Sequence, residues 1–149
     1  MSSEGLLVIG IGNRDRGDDA VGCIIAERLK VRFETMEHDG EPASLMEAWD
    51  GRGSVILVDA VSSGEKPGTL FYFDLQKQKL PEVFGHSSTH AFGVAEAVEL
   101  ARVLGRLPPH VLFFGVEGKN FSVGEDMSEE VSAVLEDIQR RIIKEMEHA

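Results

Sequence analysis

Cysteine is nearly absent. The single Cys23 excludes an internal disulfide and any zinc site built from several thiolates. Long apolar runs are missing as well, so no stretch approaches the length needed to cross a bilayer, and no insertion into a membrane is expected. Basic residues are in deficit: 15 Lys and Arg face 26 Asp and Glu, for a net charge of −11. That balance argues against nucleic acid or an anionic membrane as the main partner and leaves metal ions or a basic protein surface. The opening Met-Ser-Ser-Glu has no basic segment ahead of its short apolar run, so no signal peptide is expected and the chain reads as cytoplasmic. No repeat, low-complexity tract or composition shift marks a linker, and 149 residues suit one domain spanning 1–149.

What is present is an alternation of short apolar runs with helical periodicity. Residues 6–11, 54–58 and 111–116 are almost wholly apolar, the pattern of strands buried on both faces. Residues 18–30 carry Val21, Ile24, Ile25 and Leu29 at helical spacing. Residues 31–37 alternate and read as a strand, and 42–49 form a short helix with Leu45, Met46 and Trp49 on one face. Residues 68–74 follow the 54–58 strand after a Gly/Pro loop too short for a helical crossover, which predicts an antiparallel neighbour. Residues 76–88 read as a loop and 89–104 as a helix, stopped before Pro108-Pro109. A last helix, capped by Ser128, buries Val131, Val134, Leu135, Ile138 and Ile142. The expected fold is a three-layer α/β/α sandwich around a mostly parallel sheet of about five strands, one of them antiparallel.

The run Gly10-Ile11-Gly12-Asn13-Arg14-Asp15-Arg16-Gly17-Asp18-Asp19-Ala20-Val21-Gly22 follows the first strand like a dinucleotide turn. Its charges contradict that reading. Asp15 stands where the third glycine belongs, and Asp18 and Asp19 open the helix, so this end would repel phosphate and attract a cation. In open α/β sheets functional groups gather beyond the carboxyl ends of the strands. Asp18 and Asp19 after the first strand, Asp59 ending 54–58 and His90 opening a helix all fall in that zone. Two carboxylates and one imidazole suit a divalent borderline metal with open positions. Each also has a structural reading: Asp18 and Asp19 as caps, Asp59 as a turn former, His90 as a helix-start residue. His38 precedes a turn and could line the same cleft; Cys23 reads as core, and 14–16 as an exposed loop tip. No HExxH helix and no nucleophile elbow is present.

Taken in order, Gly10-Ile11-Gly12-Asn13, Gly17-Asp18-Asp19-Ala20-Val21-Gly22, Asp39-Gly40, Val58-Asp59-Ala60, Ser87-Ser88-Thr89-His90 and Gly115-Val116-Glu117-Gly118 resemble the motifs of the hydrogenase maturation endopeptidases. The resemblance spans roughly residues 6–131. It implies a phosphorylase/hydrolase-like fold and an aspartic-type endopeptidase that removes the C-terminal extension of a nickel–iron hydrogenase large-subunit precursor after nickel insertion. By motif position it implies that Asp19, Asp59 and His90 are both the catalytic residues and the metal ligands. It also implies that the nickel is supplied by the precursor and that Asp18 stands behind the ligands or serves as a base. Asp19 is an aspartate where many relatives have glutamate, which implies a shorter reach. Glu41 stands where relatives commonly have glycine or threonine. A non-catalytic nickel-binding maturation chaperone would use the same cleft, and the oligomeric state stays open.

Overall fold

The computed structural model describes residues 5–82, 84 and 91–147. Strands β1 (Leu6–Ile11), β2 (Thr35–His38), β3 (Ser54–Val61), β4 (Leu70–Asp74) and β5 (His110–Glu117) form one sheet in the order β2-β1-β3-β5-β4. The first four neighbours in that order run parallel, and β4 is antiparallel to β5. A 3-10 turn (Gly17–Ala20) leads into α1 (Val21–Leu29); α2 (Pro42–Trp49), α3 (Ala91–Val103), the single turn α4 (Glu129–Ser132) and α5 (Leu135–Glu147) complete the elements.

The alternation of side chains along each strand divides the core in two. Leu7, Ile9, Ile11, Val55, Leu57, Val111 and Phe113 face α2 and α3, meeting Leu45, Trp49, Val94, Ala97 and Ala101. Leu6, Val8, Ile56, Val58, Leu112 and Phe114 face α1 and α5, meeting Ile25, Leu29, Ile138 and Ile142. These side chains are buried on both faces, which is why β1, β3 and β5 read as unbroken apolar runs. Each such buried side chain contributes roughly 1.5–3 kcal/mol relative to exposure. Helix α1 lies close against β1 and β3 because Gly10 and Gly22 leave room. A methyl on Gly10 would overlap the Gly22 carbonyl, and one on Gly22 would reach backbone atoms of Ile11 and Val58.

Several elements differ from the sequence expectation. Helix 18–30 is divided into the 3-10 turn and α1. Strand 31–37 starts only at Thr35, because Arg32 and Phe33 both donate their N–H to the Leu29 carbonyl and wind the chain past the helix end. That leaves Val31 83% exposed. Strand 54–58 continues through Asp59 to Val61. The closing helix breaks at 133–134 into α4 and α5.

The antiparallel strand is present, but its partner is β5 and not β3. Residues 62–69 therefore cross the end of β5, and Glu117 fixes the crossing. Its carboxylate, 2% exposed, accepts from Ser63 N–H at 2.9 Å and from the Ser63 hydroxyl. Its backbone carbonyl takes Gly68 N–H at 2.8 Å.

Ser128 is the cap that the sequence suggests. Its hydroxyl accepts from Val131 N–H at 3.3 Å and donates to the Asp18 carboxylate at 2.9 Å. Ser128→Ala removes both bonds from a buried position and is expected to cost about 1–2 kcal/mol. Calorimetry would then show a melting temperature about 3–6 °C lower, on the size scaling for a domain of this length. An unchanged value would mean that the cap adds nothing.

Candidate active site

The carboxyl ends of β1, β2, β3 and β5 share one edge of the molecule, and the sequence candidates within the described residues are located relative to it. After Ile11 the chain turns at residues 12–16. Asn13 Oδ1 accepts from Asp15 N–H at 2.8 Å and the Asn13 carbonyl from Arg16 N–H at 3.3 Å. Asp19 closes this turn: Asn13 N–H is shared between the Asp19 carbonyl at 3.2 Å and Asp19 Oδ2 at 3.0 Å. Asp19 is 3% exposed, on a 3-10 turn that lies against β3.

Asp18 points elsewhere, and this corrects the expectation of a cation-facing acid or a base. Its Oδ2 accepts from Lys119 N–H at 2.7 Å, Asn120 N–H at 3.0 Å and the Ser128 hydroxyl at 2.9 Å. Its Oδ1 accepts from Ser128 N–H at 2.7 Å. The side chain is fully buried, with both oxygens engaged in tying the 3-10 turn to the segment between β5 and α4. Residues 14 and 15 are exposed in the turn, as expected, and the loop tip is nonetheless tied down. Arg14 holds Glu37 through two 2.7 Å bonds and reaches Glu27 at 3.2 Å, and Arg16 Nε donates to the Phe121 carbonyl at 3.2 Å. The Arg14 guanidinium keeps the Glu37 carboxyl below the usual carboxylate range.

Asp59 lies inside β3, the central strand, and is completely buried. It pairs in register with Gly115 of β5 and shares a row with Val55, Leu57 and Val61, the row that faces α2 and α3. An acid in that row is the exception to an apolar face. Glu117 lies two positions further along β5 on the same face. The sequence reading named it only within the motif Gly115–Gly118 and not as a site residue, although an acid ending the apolar run His110–Glu117 repeats the signal that marks Asp59.

His90 lies outside the described residues, as do His86 and the Ser87-Ser88-Thr89 segment. The helix whose first residue follows His90 is placed by Gly93, where a methyl group would overlap the Gly40 carbonyl. Helix α3 thus begins against the turn that ends β2. Among the described residues no three His, Cys, Asp or Glu side chains gather as a metal cluster.

His38 lies at that turn and lines a cleft, but the expectation that it shares one with the candidate ligands is not met there, since neither Asp19 nor Asp59 is in the lining. The cleft has a volume of about 390 Å³, and its lining includes Asn13, Arg14, Cys23, Glu37 and Asp39. His38 Nδ1 accepts from Gly40 N–H at 2.9 Å, so the ring proton is on Nε2, which donates to Ser44 Oγ at 3.1 Å. That tautomer cannot deprotonate Ser44, so the pair is not a nucleophile and base. Cys23 is core: burial is the main cause pushing its thiol up to about 12, with nearby Glu37 adding to it, and this suppresses the thiolate. Glu41 caps α2. Its carboxylate accepts from Ala43 and Ser44 N–H at 2.8 and 2.9 Å, and these bonds hold it below the usual carboxylate range.

Residues 23–145 match the family model described as hydrogenase maturation protease. The chain belongs to this family. The matched span includes Asp59 and His90 and begins after Asp19. As a member of the hydrogenase maturation protease family the chain is a peptidase. Curated relatives include the protein FrxA of Pyrococcus furiosus, 38% identical over 125 residues that make up 80% of this chain and 88% of that protein. The hydrogenase 2 maturation protease of Escherichia coli is 27% identical over 146 residues, 93% of this chain and 88% of the relative. Among solved structures, the hydrogenase maturating endopeptidase HybD of Escherichia coli superposes with a TM-score of 0.80 at 24% identity, covering 99% of this chain and 93% of that one. HybD of Thermococcus kodakarensis gives 0.73 at 22% identity over 97% and 98% of the two chains. The maturation protease fold is therefore the α/β sandwich described above. No helix among the described residues is long and apolar enough to cross a membrane.

Proposed function

We propose that this peptidase removes the C-terminal extension of a nickel–iron hydrogenase large-subunit precursor after nickel has been inserted, and that it reads the metal through Asp19, Asp59 and His90. The observation that carries the reading is Asp59. It is a fully buried acid in the middle of the sheet, on a row otherwise filled by apolar side chains, in a chain of the maturation protease family. A carboxylate in that position is an oxygen donor of the kind a divalent borderline cation takes alongside imidazole. Asp19, held beside β3 by the Asn13 turn, and His90, which directly precedes α3 in the chain, supply the rest of a carboxylate and imidazole set suited to nickel.

The nickel belongs to the substrate. It would supply Lewis-acid polarisation at the scissile bond. The residues of this chain hold and orient it: Asp59 from the central strand, Asp19 from a turn closed by its own carbonyl and carboxylate. Asp18 acts at a distance by fixing that turn. Processing takes place where the precursor receives its metal, which we place in the cytoplasm.

The test is the intact mass of a precursor carrying its extension, incubated with this protein with and without bound nickel. Loss of the extension only from the nickel-loaded form is expected. A precursor that stays full length in both arms while still binding the protein would favour the chaperone reading. Equal cleavage in both arms would sink the metal-reading site.

A further inference from the structure

The two sides of β2 differ. Val8 N–H donates to the Glu34 carbonyl and Gly12 N–H to the His38 carbonyl, and the register pairs Val8 with Thr35 and Gly10 with Glu37. In a parallel ladder of this phase the groups of Met36 and His38 turn towards β1. The N–H and C=O of Thr35 and Glu37 then point away from the sheet. No strand lies beyond β2 among the described residues, and none of the backbone bonds in the turns and loops reaches these four groups. The edge is open to solvent as well, with Glu37 exposed and Met36 37% exposed. At its carboxyl end the strand runs into the cleft lined by Glu37, His38 and Asp39, next to the turn that carries Asp19.

We propose that this edge receives an extended segment of the precursor as an additional strand. Two outward donors and two outward acceptors would bind the segment by its main chain and lead it along the rim towards the Asp19 turn. Its identity as precursor rests on the function proposed above; the open edge does not.

Charge decides between possible occupants. Glu27, Glu34, Glu37 and Asp39 surround the edge against Arg14, Lys30 and Arg52, which are already paired with Glu37, Glu27 and Glu34 and leave one carboxylate in excess. The rim is net negative on a chain of net charge −11. A second copy pairing edge to edge would bring like charges together, whereas an extended segment bearing Lys or Arg would not.

Amide hydrogen exchange tests this on the full chain, alone and with excess nickel-loaded precursor, in a pulse shorter than processing. Exchange at Thr35 and Glu37 is expected to slow about tenfold or more, while Gly10, already bonded inside the sheet, is unchanged. Thr35→Pro removes one outward donor without touching the β1 ladder, and it is expected to raise KM for the precursor about fivefold to tenfold with a smaller change in kcat.

Cleavage with no slowing at either amide overturns the edge proposal and leaves the proposed function standing. Slowing without cleavage does the reverse. A wild-type KM for a folded Thr35→Pro protein also overturns the edge, and if that variant does not fold, the exchange result on the unaltered chain decides. Protection in the protein alone, with concentration-dependent dimers in sedimentation, assigns the edge to a second copy and overturns the proposal.

Discussion

Asp18→Ala is expected to lower the melting temperature by about 10 °C. The side chain is fully buried and accepts four hydrogen bonds, from Lys119, Asn120 and twice from Ser128. Alanine leaves four donors without their acceptor, two of them on buried Ser128. Removing one partner of a buried charged network costs about 3–5 kcal/mol. A chain of this size loses about 2–4 °C per kcal/mol. Asp18→Asn separates shape from charge. It keeps one acceptor oxygen but turns an NH₂ towards N–H groups, so a loss of roughly half that size is expected. Exchange in the segment 119–128 should accelerate in both variants, because Asp18 is what joins it to the 3-10 turn. An Asp18→Ala protein melting within about 2 °C of the original would show that these bonds do not hold the two segments together.

That joint also marks where the sequence stopped being informative. Strand β1 and helix α2 were legible to the residue, because an unbroken apolar run and a Pro42 start with Leu45, Met46 and Trp49 on one face are local signals. The layered fold followed from the alternation of such runs with helices. Asp18 was legible as a candidate near the site but not in its role, since its partners lie about a hundred residues away and Lys119 and Asn120 offer only backbone N–H groups. The placement of β4 beside β5 failed to show for a related reason. A short loop says that two strands run antiparallel, but not that a strand from 110–117 inserts between them. Glu117 records that insertion by anchoring Ser63, yet an acid at a strand end reads the same whether it binds a loop or a ligand. Asp59 was placed at the strand terminus because the apolar run stops there. The ladder continues to Val61 because Gly115, Val116 and Glu117 of β5 go on pairing with it.

Asp59→Asn is expected to reduce processing of nickel-loaded precursor at least about a hundredfold, with a melting temperature within about 4 °C of the original protein. The substitution is isosteric, so the packing of the row Val55, Leu57 and Val61 against α2 and α3 is kept. What changes is charge: a neutral amide is a weak ligand for a divalent ion and no longer compensates it at a fully buried position. Asp19→Asn should act in the same direction but less cleanly. Oδ2 of Asp19 also holds Asn13 N–H at 3.0 Å, and an amide turned the wrong way would open the turn. His90→Ala completes the series through the third proposed ligand. Binding separates recognition from chemistry. If Asp59 reads the metal, Asp59→Asn loses its preference for nickel-loaded over nickel-free precursor. If Asp59 acts only on the scissile bond, the preference survives while cleavage stops. Processing at the original rate by a folded Asp59→Asn protein would remove Asp59 from the site, and with it the observation on which the metal-reading proposal stands.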